Sequence, residues 1–277
     1  MIMERFRPRK RWGQNFLVDH NIARKIVSSA ELSPKDIVLE IGAGKGILTG
    51  KIASQVKKVI AVEIDKKLCS FLREELKSYK NVEIIERDFL KLDISQFLGS
   101  GSRSSVKVIA NLPYYITSPI IIKLLNMKGW SEATFMLQKE VGERITASPG
   151  GKDYGSLSIL VQYHCYVEKR FNVSRNVFRP KPDVDSVVIK LKLLKRPRIK
   201  VKNKKLFFEI VHGAFSQRRK KLSNSISNVL KIDKHLLEEL LERLNISPAR
   251  RAETLSIEEF ATISDSLIGS RSDSSER

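Results

Sequence analysis

The chain has 277 residues, of which 42% are hydrophobic, and no apolar run approaches the roughly 18 residues that a membrane-spanning helix needs. Lysine and arginine (51) outnumber aspartate and glutamate (31), which leaves a net charge of +20 and favours a polyanionic partner, nucleic acid first. No apolar stretch follows the charged N-terminal residues as a secretory signal would require, so we expect a cytoplasmic protein with no membrane partner.

Cysteine and histidine exclude some chemistries. The two cysteines, Cys69 and Cys165, lie far apart, and the four histidines are scattered without the spacing of metal ligands. We therefore expect neither a disulfide framework nor a metal site, and we place both thiols in the core.

The basic residues are concentrated in a few segments. Five lie between Arg5 and Arg11, nine lie between Lys190 and Lys205 with no acidic residue among them, and Arg218–Lys221 is a run of four. A solvated surface rich in ion pairs is the alternative to nucleic-acid binding, but clustering of this kind favours binding.

Between Asp36 and Leu194, short β-branched runs alternate with longer amphipathic stretches, which is typical of βαβ units and a mostly parallel sheet. The pattern predicts an α/β fold with seven strands. The predicted strands are Ile37–Ile41, Val59–Glu63, Val82–Ile85, Val106–Ala110, Thr134–Leu137, Ile159–Val167 and Val187–Leu193. The predicted helices among them are Asn21–Ala30, Lys66–Lys77 and Pro119–Asn126.

After Arg196-Pro197 the pattern is helical only, which predicts a small all-helical second domain. We assign residues 1–195 to the first domain, 196–269 to the helical domain and 270–277 to a polar, disordered tail. The helices predicted there are Leu206–Phe215, Leu222–Leu230, Leu236–Leu244 and Ile257–Leu267.

The first predicted strand runs into a glycine-rich turn that contains Gly42, Gly44 and Gly46. Glycines at such a turn let the backbone approach a ligand closely. A dinucleotide site would place its third glycine where Ile47 stands, which argues against NAD. A turn made tight only for packing is the alternative. Gly42 and Gly44 are our candidate ligand-binding residues.

Carboxylates end the next two predicted strands. Glu63 can accept hydrogen bonds from the hydroxyls of a ribose, and Asp88 can accept one from the exocyclic amine of an adenine, with Phe89 beside the ring. A helix cap is the alternative role for Asp88. Because parallel strands bind ligands at their carboxyl edge, the three strand ends together predict an adenosine pocket.

The fourth predicted strand ends in Asn111-Leu112-Pro113-Tyr114. An adenine amine is a poor nucleophile, and two acceptors, the Asn111 side-chain carbonyl and the Leu112 backbone carbonyl, can polarise it. Pro113 fixes the chain direction and donates no competing N–H, and Tyr114 offers a face on which a base can stack. This pattern predicts methylation of an adenine amine.

A target base in RNA must be unpaired or flipped out before its amine is accessible, and stacking on both faces would hold it. The stiff segment from Phe178 to Ser186 can bring Phe178 to the face opposite Tyr114. The alternative is an extended linker that precedes a strand.

These motifs resemble the ribosomal RNA adenine dimethyltransferase family of the small-subunit type, over nearly the whole chain. The matching segments are Gly13–Leu17, Gly42–Gly46, Glu63, Asp88, Asn111–Tyr114, Lys152–Gly155, Phe178–Ser186, Gln217–Leu222 and Pro248–Leu255. Ala43 stands where the family usually has Pro, and Tyr115 stands where Asn is frequent.

The resemblance implies a Rossmann-like methyltransferase domain with a helical RNA-binding domain, and S-adenosylmethionine as the cofactor. It also implies dimethylation of two adjacent adenosines near the 3′ end of small-subunit ribosomal RNA, with the immature small subunit as partner. By the same resemblance, the cofactor is bound by Asn15, Leu17, Gly42, Glu63, Asp88 and Asn111.

Two other functions stay open at this point. One is the related large-subunit methyltransferase that confers macrolide resistance, and the other is a non-catalytic ribosome-assembly factor. We expect a monomer, because no long heptad pattern or exposed apolar stripe calls for a second copy.

Overall fold

The computed structural model describes residues 14–93, 106–217 and 220–273. The basic segment from Arg5 to Arg11, Gly13, the 99–105 loop, the pair Arg218-Arg219 and residues 274–277 lie outside the described residues. The chain divides into two compact units, which we describe separately. The first comprises Met1–Gly142 and Val167–Leu193, and the second comprises Glu143–Tyr166 and Leu194–Arg277.

The first unit is built on a sheet with helices between its strands. Its strands are β1 (Phe16–Leu17), β2 (Ile37–Ile41), β3 (Lys58–Glu63), β4 (Val82–Glu86), β5 (Val106–Asn111), β6 (Trp130–Gln138), β7 (Cys165–Val173), β8 (Phe178–Arg179) and β9 (Ser186–Leu193). Its helices are α1 (His20–Ser29), α2 (Thr49–Ala53), α3 (Lys66–Glu75), α4 (Thr117–Asn126) and α5 (Lys139–Thr146), the last of which continues into the second unit.

Seven strands form the main sheet, in the order β4-β3-β2-β5-β6-β9-β7. The strands from β4 to β6 are parallel, and β9 pairs antiparallel with β6. The predicted mostly parallel, seven-stranded α/β sheet is confirmed. Strands β2 to β5 lie within one residue of their predicted bounds, because residues such as Val59, Ile60 and Ala61 are fully buried and form continuous apolar runs.

The sixth predicted strand, Ile159–Val167, is wrong. Residues from Ser156 to His164 form a helix, α6, and β7 begins only at Cys165. Ile159 and Tyr163, four residues apart, point into the helical core of the second unit, so helical burial overrides the strand preference of the β-branched run. Both cysteines are buried free thiols, as predicted.

The second unit is helical in its described residues outside the start of β7, and its core is aromatic and aliphatic. Phe207 and Phe260 are fully buried at its centre. Its helices are α6, α7 (Lys204–Ser216), α8 (Leu222–Leu230), α9 (Lys234–Arg243) and α10 (Ile257–Asp273). The prediction of a helical C-terminal domain is confirmed.

The predicted domain limits need two corrections. The second unit begins again at Leu194, close to the predicted boundary, but it also contains Glu143–Tyr166, because α6 packs in its core. Residues 270–273, which we assigned to the disordered tail, belong to α10, which ends at Asp273. Within the described ranges, no helix combines the length and apolar character that crossing a bilayer requires.

A glycine in α5 gives a test of the packing in the first unit. A Cβ atom on Gly142 would lie 2.2 Å from Cγ1 of Val187 and 3.1 Å from Cδ1 of Leu137. Alanine normally stabilises a helix interior by about 1 kcal/mol relative to glycine. At this position we expect Gly142→Ala to lower the free energy of unfolding by about 1–3 kcal/mol through overpacking, as measured by urea denaturation.

Gly155→Ala is the matched control, because no atom lies within 4 Å of a Cβ built there. A gain in stability for Gly142→Ala would contradict the packing of α5 against β9.

Candidate active site

A cavity of about 260 Å³ opens at the carboxyl edge of the parallel strands. The ends of β2, β3, β4 and β5 form its floor and walls, and residues around β1 line it from the N-terminal side. The structure brings together almost all of the predicted site residues here. Those lining the cavity are Asn15, Leu17, Gly42, Gly44, Glu63, Asp88, Asn111, Leu112, Pro113 and Tyr114.

The glycine-rich turn adopts a backbone that side chains disfavour. Gly42, Gly44 and Gly46 have φ angles of +74°, +58° and +77°, all in the left-handed region. Gly42 and Gly44 line the cavity, whereas a Cβ on Gly46 would lie 2.8 Å from Cδ2 of Leu72. The turn is therefore compatible with both alternatives, since Gly46 is needed for packing and the other two line the cavity.

Glu63 holds the turn in place. Its Oε2 accepts a hydrogen bond from the Gly44 amide at 2.9 Å, and its Oε1 accepts from the amides of Ile64 and Asp65, also at 2.9 Å. Only 6% of the residue is exposed, and burial raises the pKa of Glu63 against the opposing effect of these amides. A carboxylate has about four acceptor positions, and these amides occupy three of them, so one position is left for a ribose hydroxyl.

Asp88 has the capping role that we considered and also faces the cavity. Its Oδ1 accepts from the Leu90 amide at 2.9 Å and caps the short turn Phe89–Lys91. The two roles are compatible because the carboxylate has a second oxygen. The side chain of Phe89 lies nearby and also lines the cavity, as predicted for an adenine site.

Asn111 is oriented by the N-terminal segment. Its Nδ2 donates to the backbone carbonyl of Asn15 at 3.3 Å. The side-chain oxygen, Oδ1, therefore faces away from Asn15. The backbone of Leu112 is held in place, because its amide donates to the carbonyl of Met136 on β6 at 2.9 Å. The carbonyl of Pro113 accepts from the Ile116 amide at 3.2 Å and from the Thr117 hydroxyl at 3.1 Å.

Tyr114 lines the cavity, but Phe178 does not. The side chain of Phe178 is fully buried in the core of the first unit, and its strand, β8, pairs with β1 through Leu17. The prediction that Phe178 stacks on the second face of a base is therefore not supported by this structure, because burial leaves its ring no exposed face. The alternative, an extended linker that precedes a strand, describes residues 178–186 better.

Sequence reasoning missed Glu40, which lines the cavity from inside β2. It is only 1% exposed, and its Oε2 has no hydrogen-bond partner among the described residues. Burial raises the pKa of Glu40 to about 8, and the negative charge of Glu63 acts in the same direction. A carboxylate within an otherwise apolar strand was the available signal. Tyr115, at the rim, was noted only as a departure from the family pattern.

The cavity fits S-adenosylmethionine, a cation whose adenosine half offers hydroxyls and an amine. Glu63 and Asp88 provide acceptors for that half, and Glu40 adds a buried carboxyl whose Oε2 has no partner among the described residues. Within the described residues, no cluster of three or more His, Cys, Asp or Glu side chains is arranged to hold a metal ion.

The fold and this cavity define the chain as a Rossmann-like, S-adenosylmethionine-dependent methyltransferase. The family model for ribosomal RNA adenine dimethylase matches residues 5–268. The chain belongs to this family.

Relatives with assigned names are similar over almost the full length. The ribosomal RNA small subunit methyltransferase A of Clostridium botulinum (strain Loch Maree / Type A3) is 48% identical over 263 residues, which are 95% of this chain and 94% of that protein. The protein of the same name from Caldanaerobacter subterraneus subsp. tengcongensis is 49% identical over 260 residues, or 94% of this chain and 97% of its own.

Two solved structures are also similar. A dimethyladenosine transferase from Plasmodium falciparum matches with a TM-score of 0.76 and 30% identity, over 90% of this chain and 95% of that chain. The 23S rRNA methyltransferase ErmE matches with a TM-score of 0.70 and 26% identity, over 92% of this chain and 100% of that chain. The second shows that the fold alone does not separate the two ribosomal subunits as targets.

Glu40→Gln tests the buried carboxyl. The pKa of Glu40 is raised from 4.5 to about 8 in the folded chain, so its contribution to stability is full below pH 4.5 and is lost as the pH rises through 8. Glutamine cannot ionise. We expect the variant to exceed the wild type in free energy of unfolding by about 1–4 kcal/mol at alkaline pH, and by much less in acid, in urea titrations across this range.

A stability difference between the two proteins that stayed constant with pH would contradict an ionisable, buried Glu40. Glu242→Gln is the matched control, because that carboxylate is exposed.

Proposed function

We propose that this enzyme dimethylates the exocyclic amines of two adjacent adenosines near the 3′ end of small-subunit ribosomal RNA, on the immature subunit. The observation that carries the proposal is the Asn111–Tyr114 loop at the cofactor cavity, with the Asn111 amide held by Asn15. The family and the names of the relatives at 48% and 49% identity support the same target.

In the proposed mechanism, Asn111 Oδ1 and the Leu112 carbonyl each accept one hydrogen of the target amine in the first transfer. These two bonds return electron density to the nitrogen and align it for attack. In the second transfer the monomethylated amine has one hydrogen left, which one of the two oxygens accepts. When bound, S-adenosylmethionine supplies an activated methyl group on a positively charged sulfur. No side chain needs to act as a base, because the amine proton becomes acidic as the nitrogen gains positive charge and can leave to water.

The chain's own residues would hold the reactants in place. Glu63 and Asp88 would orient the adenosine of the cofactor, and Asn15 and Leu17 also line the cavity. Tyr114 offers a stacking face to the flipped-out base. Since Phe178 is buried, the described residues of the 178–186 segment give the base no second aromatic face from that position.

The helical unit is our candidate RNA-binding surface. The basic run from Lys190 to Lys205 is not exposed throughout. Lys190 is buried and pairs with Glu31 at 2.9 Å and with Glu132 at 3.1 Å. The seven cations that follow Leu194 in this run are all exposed, as are Lys220 and Lys221. Exposed cations on this unit can neutralise phosphates without specifying a sequence.

Large-subunit RNA is the second candidate target, favoured by the similarity to ErmE. The higher identity to small-subunit enzymes and the Arg218–Lys221 and 248–255 segments favour the small subunit. A purely non-catalytic assembly role would not explain the intact Asn111–Tyr114 loop. The enzyme would act as a monomer in the cytoplasm, where ribosomal subunits assemble.

Asn111→Ala removes one of the two acceptors of the target amine. Loss of a single preorganised hydrogen-bonding group lowers turnover by about 100–1000-fold, and we expect a loss of this size in methyl transfer from labelled cofactor. RNA affinity should stay nearly unchanged, because no phosphate contact is removed.

Asn126→Ala is the matched control, since Asn126 is exposed at the end of α4 and its amide donates to the Ile122 carbonyl of the same helix. Turnover by Asn111→Ala at the wild-type rate would contradict the mechanism.

Alanine substitution of Arg218, Arg219, Lys220 and Lys221 tests the RNA surface. Each lost phosphate contact removes about 0.7–0.9 from the slope of log affinity against log salt concentration, so the slope should fall by up to about 3–4. Binding to immature small subunits at several salt concentrations measures it.

Four exposed lysines on and after α3 supply a control of equal charge: Lys66, Lys67, Lys77 and Lys80. An equal change of slope in both quadruple variants would show that net charge, not this cluster, is responsible.

A further inference from the structure

Residues 178–186 have a second feature besides the buried Phe178. Ser186 is the first residue of β9, it is fully buried, and it lies opposite Gln138 at the carboxyl end of β6. It is thus two strands away from β5, whose end carries the Asn111–Tyr114 loop.

The side chains of Ser186 and Tyr114 meet across this distance. The phenol oxygen of Tyr114 lies 2.7 Å from the hydroxyl oxygen of Ser186, and either can donate. Burial raises the pKa of Tyr114, so the phenol keeps its proton through the neutral range and the hydrogen bond is kept with it. Tyr114 is half-buried, with its ring at the cavity.

Both ends of this contact are anchored. Next to Ser186, the Asp185 carbonyl accepts from the Lys139 amide at 3.0 Å, and the Asp185 carboxylate accepts from the Arg175 amide at 3.0 Å. On the other side, Leu112 is bonded to β6 and Pro113 to the start of α4. The Tyr114 ring is therefore fixed at its backbone and at its tip.

We propose that Ser186 is a positioning residue that fixes the position of the Tyr114 ring through this hydroxyl contact. The inference about catalysis rests on the proposed function, because the ring matters only if the target adenine stacks on it. With Phe178 buried, one ring would set the tilt of the base. A small misplacement of the amine relative to the methyl donor is costly for the rate.

A double-mutant cycle with Ser186→Ala and Tyr114→Phe tests the proposal, since Tyr114→Phe keeps the ring and removes only the hydroxyl. We expect each single variant to lower kcat by about 2–10-fold, the range that one net hydrogen bond allows. The affinity for S-adenosylhomocysteine, the product of the cofactor, should not change. The double variant should be no slower than the slower single variant, within about twofold.

Ser264→Ala is the matched control, because Ser264 is also fully buried and its hydroxyl has no partner among the described residues. Losses that multiply in the double variant, or a Ser186→Ala variant that unfolds at lower denaturant yet turns over like the wild type, would overturn the proposal.

A measurement without RNA separates this inference from the proposed function. The wild type labelled with 3-fluorotyrosine gives one fluorine signal for each of its six tyrosines, and Tyr114→Phe assigns the one from Tyr114. We expect Ser186→Ala to shift or sharpen this signal, and Ser264→Ala to leave it unchanged. An unchanged signal in Ser186→Ala would refute the positioning role even if the wild type methylates RNA. Wild type that does not methylate RNA would count against the proposed function alone.

Discussion

The site depends on the way four parallel strands end at the same level. Ile41 of β2 is in register with Val62 of β3 and Ala110 of β5, and Glu63 is in register with Glu86 of β4. The residues that follow these positions therefore emerge at one edge of the sheet. The glycine turn, Glu63, Asp88 and Asn111 meet there although they are distant in sequence, and no single loop has to create the cavity.

Two hydrogen bonds convert that edge into a shaped pocket. The Gly44 amide binds Glu63, which ties the turn after β2 to the end of β3, and Asn111 binds the Asn15 carbonyl, which ties β5 to the N-terminal segment. The short β1–β8 pair holds this segment, with Phe178 buried in the core of the same unit. Glu63 and Asp88 place acceptors in the pocket for the adenosine half of the cofactor, while the exposed surface of the helical unit is basic, which suits a polyanionic substrate.

Much of this arrangement could be predicted from the sequence because strong local signals agree. The continuous apolar strands β2 and β3 are distinctive, and polar residues directly after them mark the ligand edge. Ile159–His164 could not be assigned this way, because a short apolar run fits a buried helix as well as a strand. Whether Phe178 is buried depends on its packing in the folded chain, which no local sequence signal shows. The Tyr114–Ser186 contact joins residues 72 positions apart, so it has no local signal either. Glu40 did have one.

The proposed dimethylation can be tested by incubating the enzyme and labelled S-adenosylmethionine with immature small subunits and, in parallel, with protein-free large-subunit RNA. The modified bases are then mapped by mass spectrometry. We expect dimethyladenosine at two adjacent positions near the 3′ end of the small-subunit RNA and no label in the large-subunit RNA. Label on a single adenine of the large-subunit RNA, or tight binding to small subunits without methyl transfer, would contradict it.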